Sequence, residues 1–168
     1  MLHSQILKLA HYNLWANDKL MLSIIQAGEQ AADSTIESSF NTMRKTLYHI
    51  YDAETLWILR LNNQPFEYWP PSRDFKYTLN EFAQVFLSKS KEMMQWIEQC
   101  DEQSLTIMCR YHNLKGDPFE TPVADILMHC LNHSTYHRGQ LITMLRQAGH
   151  SKVPGTDFIL YCREMAGR

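Results

Sequence analysis

The sequence predicts an all-α protein: a four-helix bundle with a long crossover between its second and third helices, a short hairpin or flap before the fourth, and a short C-terminal helix. Three observations carry that expectation. Apolar residues recur with a helical period over four long segments. Gly and Pro number only six each in 168 residues, so helix breakers are scarce. Hydrophobic residues make up 45% and charged ones 20%, the balance of a packed globular chain, and the length fits a single domain over residues 1–168.

Helix one runs from Leu2 to about Ala27, where Ile6, Leu9, Ala10, Leu14, Leu20, Met21 and Ile24 form a stripe thickened by Tyr12 and Trp15. Gly28 to Ser38 mixes Gly, Gln, Asp, Ser and Thr without a period and reads as a loop. Helix two follows from about Phe40 to Leu61, with Met43, Leu47, Ile50, Leu56, Trp57 and Leu61 on its apolar surface, and Asn62, Asn63 and Pro65 end it. Residues 62–77 hold three prolines and five aromatics, which cannot continue a helix but can pack as an ordered crossover. Thr78 and Glu81 form a capping box that opens helix three, carried to about Gln99 by Phe82, Val85, Phe86, Met93, Trp96 and Ile97. Between Asp101 and Glu120 the pattern shortens to a two-stranded hairpin or an extended flap. Thr121 and Pro122 suit the N-cap and first position of a long fourth helix, and Gly149 suits its C-terminal stop. Thr156 to Met165 reads as a short terminal helix whose Phe158, Ile159 and Tyr161 can pack back on the bundle.

Composition narrows the function classes. A formal net charge of −2 with scattered Lys and Arg lacks the basic patch of a nucleic-acid binder. No apolar run approaches the roughly 20 residues needed to span a bilayer, and the first ten residues have no leader pattern, so the expectation is a cytoplasmic protein with no membrane partner. Cys100, Cys109, Cys130 and Cys162 form no CxxC pair and read as reduced packing residues.

Chemistry concentrates in the fourth helix, where His129, His133 and His137 recur every four residues. Each step of four turns only about 40° around the axis, so His133 and His137 share a face roughly 6 Å apart along it. Two neutral imidazoles so placed can hold one divalent transition metal if another element adds a ligand. His49, inside the apolar stripe of helix two, is the candidate third ligand. Three ligands at 129, 133 and 137 would span roughly 12 Å and cannot reach one ion, which leaves His129 a supporting role or a core position. His3, His11, His112 and His150 read as surface or local structure. A site of three histidines accepts zinc, nickel and other ions.

The chain resembles the DinB-like (damage-inducible) superfamily. The resemblance lies in Leu47-Tyr-His49-Ile, Ala53-Glu-x-x-Trp57-x-x-Arg60-Leu, His129-x-x-Asn132-His133-x-x-Tyr136-His137-Arg138-Gly139-Gln140 and Val153-Pro-Gly-Thr-Asp157-Phe-Ile-x-Tyr161, with Trp15-Ala16-Asn17 in helix one. It implies a four-helix bundle, often homodimeric, whose metal triad falls on His49, His133 and His137, with zinc or nickel as the cofactor. It also implies the chemistry of bacillithiol S-transferases and mycothiol-dependent maleylpyruvate isomerase: a low-molecular-weight thiol, or water, activated by the metal for attack on a small electrophile. The other class open is a non-catalytic, stress-associated metal-binding homodimer. A pocket reaching the metal, lined by Tyr12, Trp15, Trp57 or the aromatic crossover, separates the two. Arg138 stands open between binding a carboxylate of such a thiol and a surface salt bridge. Leu20, Ile24, Leu141, Met144 and Leu145 exceed what one inward stripe needs, so a partner copy or the terminal helix is expected to cover them.

Overall fold

Four long helices realise those periods in a computed structural model that describes residues 1–167. They are α1 (Leu2–Ala27), α3 (Met43–Leu61), α4 (Leu79–Glu98) and α5 (Val123–Gln147), with a short α2 (Glu29–Asp33) in the first loop and α6 (Phe158–Ala166) at the end. α1 packs on α4 and α5, and α3 packs on α5 and α4, which closes the bundle. Two strands, β1 (Met108–His112) and β2 (Pro118–Pro122), pair antiparallel as the hairpin expected before the last long helix.

Local chemistry sets the ends. Thr78 accepts from the Glu81 backbone while Glu81 returns a bond to the Thr78 N–H, so the capping box read from sequence opens α4. At the far end of α5, Gly149 takes φ 90°, and the bonds Gly149 N to Arg146 O and His150 N to Leu145 O close the helix in a Schellman turn. Three expected starts move, and α6 opens at Phe158 rather than Thr156. Thr42 adopts an extended conformation and accepts from Lys45 N at 3.1 Å, so α3 begins at Met43 and Phe40 is left in the preceding loop. Thr121 does not cap α5, and Pro122 takes the N-cap position rather than the first helical one; the two pair with Cys109 and Met108 across the hairpin, which delays the helix to Val123.

Two large clusters fill the apolar interior of the four long helices, beside a smaller one under α6. One holds Leu20, Ile24, Met43, Leu47, Ile50, Phe82, Phe86, Leu141, Met144 and Leu145; the other holds Ile6, Ala10, Ile58, Met93, Ile97, Leu127 and Leu131. The five residues expected to need an outside partner or α6 as cover lie in the first cluster at 0–1% exposure, because facing helices of the same chain consume them. α6 covers something else: Tyr161 packs with Tyr12 and Ala16 of α1, and the Tyr12 hydroxyl donates to the Thr156 carbonyl at 2.6 Å. The crossover from Asn62 to Tyr77 is tied to α3 at Asp52, whose buried carboxylate accepts from Ser72 N at 2.8 Å and Ser72 Oγ at 2.7 Å. No helix among the described residues is long and apolar enough to cross a membrane.

Candidate metal centre

α3 and α5 face each other, and that packing brings His49 to the pair His133 and His137. One ring nitrogen from each lies within 4.8 Å of the others, a group that can hold a metal ion. The tightest approach is His49 Nε2 to His133 Nε2 at 2.9 Å, a hydrogen bond in which one ring must be the donor. Tetrahedral zinc holds nitrogens at about 2.0–2.1 Å, which separates them by roughly 3.3 Å. The residues present therefore fit such an ion with sub-ångström adjustment of this pair, the ion replacing the shared proton.

Burial keeps these rings unprotonated. His49 is lowered to about 4, by desolvation first and by His137 second. His133 is lowered to about 3, by desolvation and then by His137, His49 and His129. His137 is also lowered by burial, against a raising contribution from its bond to Gln140. Neutral imidazoles near pH 7 present lone pairs, which is what a borderline-soft divalent ion needs. His137 Nδ1 lies 2.8 Å from Gln140 Oε1, an orienting contact of the kind that fixes a ligand's tautomer. His133 Nδ1 is buried without a partner among the described residues.

His129 does not take the core position offered for it, and its ring lies beside His133. It is exposed, outside the group of three, with its ring 5.7 Å from both His133 and Trp57. His3 is neither surface nor local: it is half-buried between helices, its Nε2 2.8 Å from the Ile97 carbonyl of α4, whereas His11 and His112 are exposed. Arg138, adjacent to His137, points the other way. It is 1% exposed, with Nη1 donating to Asn13 and Asn17 and Nη2 to Thr135 Oγ1, so it neither pairs with a surface acid nor stands free for a substrate carboxylate.

A cavity of about 700 Å³ opens at His49, with Phe40, Tyr48, Trp69 and Phe75 as its aromatic wall and Lys45 and Arg73 at its polar side. The aromatic crossover lines it as expected, whereas Tyr12 and Trp15 pack under α6 and Trp57 packs against Tyr111. Phe40, which periodicity placed at a helix start, stacks on His49 with centroids 4.2 Å apart and stands edge-on to His137 at 5.6 Å. Nothing in its spacing marks that role. Gln140 carried a weak signal, three residues after His137 on the same helix, the spacing at which side chains meet.

Residues 1–166 match the DinB family. Protein DinB of Bacillus subtilis (strain 168) is 29% identical over 161 residues, covering 92% of this chain and 91% of that protein. The crystal structure of a DinB-like protein from Bacillus subtilis superposes with a TM-score of 0.66 at 16% identity, covering 91% of this chain and 98% of the other. A DinB-like protein from Bacillus cereus ATCC 10987 gives 0.59 at 21% identity, with 86% and 91% covered. Helix order, hairpin and histidine group thus accompany a family match over nearly the full length, and the chain belongs to the DinB family.

Proposed function

We propose that the protein is a metal-dependent enzyme in which His49, His133 and His137 hold one divalent transition ion, zinc or nickel, and a low-molecular-weight thiol or water attacks a small electrophile at the position left open. The observation that carries this reading is the 700 Å³ cavity that has His49, one of the three ligands, in its wall: a purely structural histidine site has no use for an open aromatic-walled space beside it. A bound divalent ion supplies acidity, drawing the pKa of a thiol or water towards neutrality. The chain's own part is to hold three neutral imidazoles, to shield the rings with Phe40, and to offer Trp69, Phe75 and Tyr48 as apolar contact for the electrophile. The non-catalytic metal-binding homodimer remains the competing class, and it predicts that no thiol or electrophile changes the protein's mass or turns over.

Metal analysis tests the ligand set directly. Wild type is expected to carry one divalent ion per chain, His49→Ala, His133→Ala and His137→Ala each to lose most of it, and His129→Ala to retain it. Loss in His129→Ala alone would overturn the assignment. Incubation of the loaded protein with candidate thiols and electrophiles, read by intact mass of the small-molecule product, then decides between enzyme and binder.

A further inference from the structure

Gln140 follows His137 by three residues on α5, so one helical turn sets its side chain beside the imidazole. Its Oε1 lies 2.8 Å from His137 Nδ1, and its Nε2 donates to Ser39 Oγ at 3.1 Å. A carboxamide oxygen only accepts, so this contact requires the His137 proton on Nδ1 and leaves the lone pair on Nε2. Ser39 belongs to the loop between α2 and α3, and the next residue is Phe40, whose ring stacks on His49 and meets His137 edge-on. The loop is closed on itself by Ile36 N to Asn41 O at 2.9 Å, Asn41 N to Ser38 Oγ at 3.0 Å and Thr42 N to Phe40 O at 2.9 Å, with Asn41 at φ 61°. It stands between two concavities: the cavity at His49 and a groove of about 490 Å³ lined by Glu37, Tyr136, Gln140 and Thr143.

We infer that Gln140 is a positioning residue that couples the histidine group to this loop: one amide fixes the His137 tautomer and pins Ser39, so that loading the group with metal orders the segment holding Phe40 over it. The metal arm of this statement rests on the reading under Proposed function; the tautomer and the Ser39 bond do not. Outer partners of this kind set the tautomer and ring orientation of a ligand histidine, and their loss weakens metal binding by roughly 10–100-fold. What is particular here is the second bond of the same amide, which links the ligand's orientation to the loop that separates the cavity at His49 from the groove at Gln140.

Three variants separate the contributions, and Gln140 is half-buried on a helix surface where each side chain fits. Gln140→Glu keeps an acceptor towards Nδ1, Gln140→Leu removes both bonds, and Ser39→Ala removes only the loop bond. Nitrogen-15 NMR of the histidine rings in metal-free protein is expected to show His137 protonated on Nδ1 in wild type and Gln140→Glu, with the population moving to Nε2 in Gln140→Leu. Zinc titration is expected to show roughly 10–100-fold weaker binding for Gln140→Leu and none of that loss for Gln140→Glu. Amide exchange across residues 36–42 is expected to slow on adding zinc in wild type, and not in Gln140→Leu or Ser39→Ala. An Nε2-protonated His137 in wild type overturns the inference, as does a weakened Gln140→Leu whose tautomer is unchanged, which would make the residue a packing contact only. Should wild type bind no zinc, the metal reading fails by itself, and the tautomer together with metal-free loop exchange in Gln140→Leu still decides the role of Gln140.

Discussion

His49 and His133 are bases that folding keeps neutral, and that has a measurable sign. Their folded values, about 4 and about 3, lie below the ordinary 6.5 because burial disfavours the cation and neighbouring imidazoles reinforce it. Below 6.5 the unfolded chain binds protons that the folded chain does not, so stability from this source is lost as pH falls from about 6.5 towards 3. His133→Asn removes one such base. The variant is therefore expected to gain on metal-free wild type as pH drops from about 7 to 4. Chemical denaturation of both at several pH values checks it, and a constant difference would show that His133 titrates in the fold as it does in the unfolded chain. The three histidines themselves were legible in the sequence because a spacing of four on a helix fixes a face, and His49 sat in a stripe that had to look inward. Phe40 and the pinning role of Gln140 were not, since one lies in a loop with no period and the other depends on Ser39, 101 residues away.

At the scale of elements, helices with both periodicity and caps were read within a few residues; α3 starts late because of the local Thr42 cap, a short α2 lies in the stretch read as a loop, and at α5 tertiary bonds override a local signal. Thr121 and Pro122 are good helix openers, yet the hairpin ladder claims them, and Val123 N donates to the Ile107 carbonyl instead. Asp52 shows the same effect from the other side: a carboxylate within an apolar stripe has no local reason, and its partner is Ser72, 20 residues on. Two bonds from a buried acid fasten the crossover that walls the cavity, and burial raises that acid to about 6, so it accepts as a carboxylate at neutral pH. Asp52→Ala leaves the buried Ser72 N–H and hydroxyl without their acceptor, which costs about 1–3 kcal/mol. The variant is expected to lose that much in urea unfolding at pH 7 and to be cut faster by chymotrypsin near Trp69 and Phe75. Unchanged cleavage would mean that the aromatic packing of Phe75 on Tyr48 and Tyr51 holds the crossover unaided.

Across the whole molecule, the two apolar clusters are separated by a polar layer to which every long helix contributes. Glu54 of α3, 1% exposed, accepts from Asn13 of α1 at 2.8 Å, Ser90 of α4 at 2.7 Å and Ser134 of α5 at 3.2 Å. Arg138 of α5 answers it through Asn13, and Asn17 donates to Ser90. Ser134 and Arg138 are the immediate neighbours of His133 and His137, so bonds made by this layer fix how α5 is rotated and slid against α3, and hence where the histidines meet. Removing one charge from such a layer strands the other: Arg138→Met is expected to cost about 3–5 kcal/mol in chemical denaturation. Replacing the layer together, with Asn13→Leu, Asn17→Leu, Glu54→Leu, Ser90→Ala, Ser134→Ala and Arg138→Met, leaves none of its members without a partner and is expected to restore or exceed wild-type stability, by about 1–4 kcal/mol. The two proteins then separate stability from register. If the layer sets the alignment of α3 and α5, the sixfold variant will be stable and still bind zinc more weakly than wild type, since an apolar layer lets the helices shift without breaking a bond. Wild-type zinc affinity in that variant would place the register in the side-chain packing of Leu47, Ile50, Leu141 and Leu145 instead.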